Sequence, residues 1–416
     1  MSPEALYRRT LRVLLVSQVL AGAGLAAGVT VGALLAEDMI GSTGSAGVPA
    51  ALLTLGSAAA AVGVGRLSQR SGRRPGLALG YAVGALGGAG VVAAAAVDSV
   101  ALLFFSLLLY GSGNATNLQA RYAGADLAPP DRRGRAVSTV LVATTLGAVI
   151  GPNLVGPTGT LADAVGIPEL AGPFMLATAA YSLAAVAVVL LLRPDPLLVA
   201  RATAAAPAAP HARPPSDPAV MALGTVRLAA AAMVLTQLVM VAVMTMTPVH
   251  MRDHGHSVGD AGLVISIHVA AMFLPSPLTG QLVDRIGRRP VLAAGGVTLL
   301  AAGVIAAVAP PESMGLLTVA LALLGLGWNF GLVAGTALVT DAVPLGDRAK
   351  TQGTVDLAVA LSGATGGMAS GFVVASAGYA ALSLAGGLLA LVLLPALLVE
   401  RRRTPPPLAT DHTTAA

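Results

Sequence analysis

Gly65-Arg-Leu-Ser-Gln-Arg-Ser-Gly-Arg-Arg-Pro75 and Gly280-Gln-Leu-Val-Asp-Arg-Ile-Gly-Arg-Arg-Pro290 are two copies of one pattern, set 215 positions apart. The same shift carries Thr10 and Arg12 to Thr225 and Arg227, Asn114 to Asn329, Asp126 to Asp341 and Pro129 to Pro344. The chain is therefore a tandem repeat. Each copy of the pattern lies between two long apolar runs, so the repeat unit is built around hydrophobic segments that meet at short basic loops.

Twelve such runs, each near the roughly 20 residues that a bilayer core requires, occupy 11–36, 46–67, 75–97, 100–123, 136–160, 170–192, 226–249, 259–282, 290–309, 314–340, 351–376 and 379–398. All but Arg252 of the 24 Lys and Arg residues fall in alternate gaps, at the run ends that border them, or at the two chain ends. Basic residues are retained on the cytoplasmic side of a membrane, so both termini are expected in the cytoplasm of a multi-pass plasma-membrane protein. The expected fold is all-α, with twelve transmembrane helices in two six-helix bundles (1–199 and 220–403). Six plus six helices in the same orientation make a parallel repeat about an axis along the membrane normal. The Ala- and Pro-rich stretch 200–219 is expected to be a disordered cytoplasmic linker, and 404–416 a disordered tail.

Composition agrees. The 416 residues are 56% apolar and only 10% charged, against roughly 25% charged in a soluble domain, and mean hydropathy is +0.82. Soluble enzymes, collagen-like chains and disordered chains are excluded. With no cysteine there is no disulfide, thiolate zinc site or iron–sulfur cluster. The net charge of +5 sits in short gaps between apolar runs, which argues against nucleic acid as a partner. Gly255-His-Ser-Val-Gly259 fits a hydrolase pattern that needs a strand-to-helix elbow, but it lies in a short loop with no strand before it. No catalytic residues are expected, and the chain is not read as an enzyme.

The paired motif resembles the G-x-x-x-D-R-x-G-R-R-P signature of the major facilitator superfamily, at the family's positions between helices two and three and between helices eight and nine. The resemblance covers nearly the whole chain. It implies a conformational latch made by Gly65, Gln69, Arg70, Gly72, Arg73 and Arg74 in the first copy, and by Gly280, Asp284, Arg285, Gly287, Arg288 and Arg289 in the second. An acid at the fifth position can cap a neighbouring helix N-terminus or pair with arginine. Gln69 stands there in the first copy, so that latch is expected to be weaker and less sensitive to pH. In helix five, Gly147, Gly151, Pro152 and Gly156 resemble the G-x-x-x-G-P-x-x-G motif of the family's antiporters, with Gly156 one residue beyond the motif's last glycine, and the likeness extends to its drug/proton antiporter (multidrug efflux) branch. That branch often carries an arginine where this chain has Leu107.

Substrate-cavity and proton-coupling candidates follow from polarity inside apolar runs: Gln18, Asn114, Asn117, Arg121, Gln237, Met240, Met244, His268, Asn329 and Asp356. Arg121 lies near the basic end of its run and is expected to snorkel to the interface. Half of the 12 Met and four of the 6 His fall between 233 and 272. His250, His254, His256, Met246 and Met251 could suit a soft or borderline metal, while Met stripes also serve as adaptable packing. The function expected is alternating-access efflux of a small organic compound or drug, driven by the proton gradient, with no cofactor, by a monomer in the lipid bilayer. A Cu-, Ni- or Zn-type metal-ion exporter is the alternative, and a membrane-embedded enzyme or receptor a remote one.

Overall fold

The computed structural model describes residues 2–40, 47–205 and 218–392, and among them the architecture is all-helical. In the first half, α1 (Pro3–Ile40), α2 (Gly47–Ser71), α3 (Arg73–Ala96) and α4 (Val100–Ala125) follow the first four apolar runs. The fifth run divides into α5 (Arg133–Asn153) and α6 (Val155–Ala164), and the sixth is α7 (Gly172–Leu191). In the second half, α9 (Pro218–Asp253) is followed by α10 (Val258–Phe273), α11 (Ser276–Ile286), α12 (Arg288–Val308), α13 (Met314–Ala342) and α14 (Arg348–Ala390). A short helix, α8 (Pro196–Ala205), precedes the undescribed part of the linker. Among the described residues, eight helical stretches are long and apolar enough to cross a membrane by length and composition.

Three departures from the sequence reading have backbone causes. Run 136–160 is not one helix, because Pro157 has no N–H to donate to the carbonyl of residue 153; the helix breaks at Leu154 and restarts at Val155. Run 259–282 breaks in the same way at Leu274 and Pro275. The last two runs are continuous except at Gly378, where a φ of 85° turns the chain.

The linker reading also changes. Residues 200–205 are helical, and α9 starts at Pro218, so the boundaries at 200 and 219 do not hold; residues 206–217 and the tail 404–416 lie outside the described residues. The cause is anchoring. Asp195 accepts hydrogen bonds from the amides of Leu197 and Leu198 (3.0 and 3.2 Å) and from that of Arg74 (2.7 Å). Leu197 is buried, and Arg201 donates to the carbonyls of Gln69 (2.9 Å) and Leu345 (3.3 Å). Removing a capping side chain costs about 1 kcal/mol. Asp195→Ala is therefore expected to loosen α8, read as faster proteolytic cleavage near residue 205 while the membrane-embedded core survives.

Each half has its own apolar core, and the halves meet chiefly through α2 against α14 and α5 against α11. Both contacts lie at the end that carries the two arginine-rich loops, called here the basic end. Their glycines explain how closely the backbones approach. A Cβ on Gly65 would stand 2.9 Å from Ala349 O and from the Cα of Gly353, and one on Gly280 would stand 2.6 Å from Gly134 O. In the loops themselves, Gly72 and Gly287 have φ of 99° and 97°, a region that favours glycine. This accounts for glycine at the eighth position of both copies.

Candidate functional site

The two motif loops make matched but unequal contacts across the halves. Asp284 accepts from the amides of Gly134 (2.8 Å) and Arg135 (2.9 Å), capping the start of α5. Gln69 does the mirrored task on α14: its Oε1 accepts from the amides of Ala349 (2.8 Å) and Lys350 (3.3 Å), and its Nε2 donates to the carbonyls of Leu345 (3.3 Å) and Gly346. The expectation of a weaker first latch is thus not what the geometry supports, because an amide satisfies both the helix N–H groups and the loop carbonyls before them. Gln69→Asp keeps the first pair and loses the second. Each lost hydrogen bond of this kind is worth about 1 kcal/mol; with two lost, the closed basic end should lose population roughly thirtyfold, measured as increased reactivity of a cysteine placed at Thr351.

The motif arginines pair with the repeat-related acids. Arg73 binds Asp126 through two nitrogens (2.7 and 3.3 Å) and reaches Gln352 of the other half (2.5 Å). Arg288 binds Asp341 (2.8 Å) and the carbonyl of Pro130 in the other half (2.5 Å), while Arg133 pairs with Asp341. The first cluster is fully buried and the second half-exposed.

Beyond these contacts, toward the opposite end, lies a cavity of about 660 Å³ walled by α2, α4, α9, α13 and α14, within the size range of small-molecule sites. Its walls are mostly apolar, with Asn114, Gln237 and Trp328 among the exceptions. Its floor is an ion pair between the halves. Arg121 Nη2 lies 2.6 Å from Asp356 Oδ1; Arg121 also donates to Thr336 (3.0 Å), to the Tyr122 hydroxyl (3.0 Å) and to the carbonyl of Leu118. The Tyr122 hydroxyl donates to the same carboxylate oxygen at 3.1 Å. Arg121 is fully buried. The expected snorkelling is corrected: position along a helix gives depth, but Arg121 faces the partner half, where Asp356 neutralises it.

Asn114, Arg121, Gln237 and Asp356 line the cavity; the other candidates are placed elsewhere. Gln18 and Asn117 belong to a buried network in the first half, in which Tyr81 donates to Gln18 (2.6 Å) and Gln18 to Asn117 and Thr144 (3.1 and 3.0 Å). Asn329 binds Thr279, Ser276 and the carbonyl of Met272, bridging the break between α10 and α11. Met240 is buried in the second core and Met244 packs against it. His268 sits between α10 and α13, with Nδ1 2.8 Å from Leu321 O. Gly147 packs against α1, where a Cβ would stand 2.6 Å from Ala23 N.

The Met/His region does not gather around a point. His250 stacks on Tyr379 (ring centroids 4.3 Å apart) and tilts against His254, and His256 turns to Pro311 O (2.9 Å). Met251 is buried in the core. Among the described residues no three His, Asp or Glu side chains could hold a metal ion. Sequence reasoning missed Tyr122, Thr336, Gln352, Trp328, Asp195 and Arg201. Thr336 alone carried a signal, since it stands 215 positions after Arg121.

Two helical halves closed against each other at one end, over a central ligand-sized cavity, define a membrane transporter. The model of the Major Facilitator Superfamily matches residues 14–255 and 228–415, and the chain belongs to that family. It is 57% identical to the uncharacterized MFS-type transporter YdeG of Bacillus subtilis (strain 168), over 97% of this chain and 95% of that one. It is 33% identical to the riboflavin transporter RfnT of Brucella anthropi, over 96% and 97%. The crystal structure of the human organic anion transporter MFSD10 (TETRAN) shares the fold, with a TM-score of 0.75 at 16% identity, covering 94% of this chain and 99% of that one.

Proposed function

We propose that the chain exports a small, neutral or weakly charged organic compound in exchange for protons, as a monomer in the cell membrane and without a cofactor. The basic end faces the cytoplasm, by the distribution of Lys and Arg. The observation that carries this reading is the Arg121–Asp356 pair, which ties the two halves together at the floor of the cavity. A buried pair is held by mutual neutralisation, and removing one charge leaves the other unpaired. Protonation of Asp356 weakens the tie and lets the floor part; deprotonation restores it. The close packing of Gly147 on α1 supports the antiporter assignment, since it gives helix five the tight seam that its motif implies.

The test is a proteoliposome with an imposed pH gradient and an internal pH-sensitive dye. Substrate-dependent proton movement supports the reading, and silence across a broad panel of neutral and cationic compounds contradicts it. The similarity to a riboflavin transporter favours a second reading, in which the cargo is riboflavin. Saturable accumulation of riboflavin in vesicles carrying the protein, absent from empty vesicles, distinguishes it.

A further inference from the structure

The floor of the cavity contains one polar valence that the protein leaves open. Asp356 is 7% exposed and lines the cavity. Its Oδ1 accepts from Arg121 and Tyr122, whereas Oδ2 is buried with no partner among the described residues. A buried acceptor left unpaired costs about 1–3 kcal/mol, and a ligand that donates to it removes that penalty.

The charged donor and the indole donor lining the cavity are already engaged, whereas the amide groups of Asn114 and Gln237 keep N–H groups for a ligand. Arg121 uses four of its five N–H groups, on Thr336, Leu118 O, Tyr122 and Asp356, and it is the only cation among the residues lining the cavity. Trp328 donates its indole N–H to Gln237 Oε1 at 2.6 Å, so it offers ring carbon and no donor. An anion entering this site would find its one cation already paired with the Asp356 carboxylate. Leu55, Leu118, Val241, Leu332 and Met368 supply apolar wall.

Resting on the transport reading above, we infer that the cavity selects compounds with an apolar body that donate an N–H or O–H hydrogen bond to Asp356 Oδ2, and that it rejects organic anions. Loss of the donor unpairs a buried polar group, the kind of discrimination that a hydrogen-bonding site makes strongly and a hydrophobic pocket does not.

Trp328 is the sole tryptophan of the chain and lines the cavity, so its fluorescence in the full-length protein reports occupancy. The probes are lumiflavin, whose imide N–H is its one donor, and its imide N-methyl derivative, ethidium as a cation with amine donors, tetraphenylphosphonium as a cation without donors, and 2-naphthoate as an anion. Lumiflavin or ethidium should quench saturably. The methylated flavin, tetraphenylphosphonium and naphthoate should bind at least roughly tenfold more weakly. In Asp356→Asn the gap between the two flavins, or between the two cations, should close.

Naphthoate or tetraphenylphosphonium binding as tightly as the donors overturns the inference, as does a gap that survives Asp356→Asn or the absence of quenching by every probe. The wild-type comparison stands even if the variant does not fold. Proton-coupled flux without donor preference would sink this selection rule and leave the transport reading intact; absence of flux for every compound would sink the transport reading itself.

Discussion

Asp356→Asn is expected to abolish proton-driven transport while leaving the protein folded and in the membrane. Asn has the shape of Asp and can still accept from Arg121 Nη2 and the Tyr122 hydroxyl, the two contacts that Asp356 Oδ1 makes in the structure. It cannot take up and release a proton, and it leaves the Arg121 charge without a counter-charge. A coupling free energy of 1–3 kcal/mol corresponds to roughly 5–150-fold, and uptake against a gradient should fall toward the upper end of that range. Exchange of labelled for unlabelled substrate, which needs no net proton movement, should fall much less. Equal gradient-driven rates in variant and wild type would remove Asp356 from the coupling mechanism.

Gly280→Leu is expected to have the next largest effect, by preventing closure of the basic end. A Cβ at 280 already meets Gly134 O at 2.6 Å, and that contact is backbone, which cannot rotate away. Overpacking of this kind costs about 1–3 kcal/mol in the closed arrangement and nothing in an arrangement where the seam is open. The population should therefore shift toward the open basic end by roughly 5- to 150-fold. Ser138 lies in the same seam, and a cysteine there should become reactive toward a membrane-impermeant reagent added from the basic side. Gly65→Leu should act alike on the mirrored seam, against Ala349 O and the Cα of Gly353. Unchanged reactivity with unchanged transport would mean that these seams do not open.

The repeat made much of this legible. Because Arg73, Asp126 and Gly65 recur as Arg288, Asp341 and Gly280, the paired loops and their glycine positions could be read from spacing alone. Cross-half partnerships could not. Arg121 looked like an interfacial arginine because its partner, Asp356, is 235 positions away and no local pattern points to it. Gln69 looked like a lost charge, since a sequence does not show that both loop carbonyls and helix amides converge on one side chain. The linker looked unstructured from its alanines and prolines, yet three single residues (Asp195, Leu197 and Arg201) are enough to hold α8 in place. His268 and Asn329 were polar and central, but centrality along a helix does not say whether a side chain turns to the cavity or to the next helix.

Paired distance measurements read out whether the two halves rock about the Arg121–Asp356 floor. The chain has no cysteine, so spin labels can be placed at will: one pair by Arg66→Cys and Lys350→Cys at the basic end, another by Leu55→Cys and Met368→Cys beside the cavity. Across a pH titration with and without substrate, the first distance should lengthen as the second shortens. Distances that stay fixed, or that change in the same sense at both ends, would contradict the account.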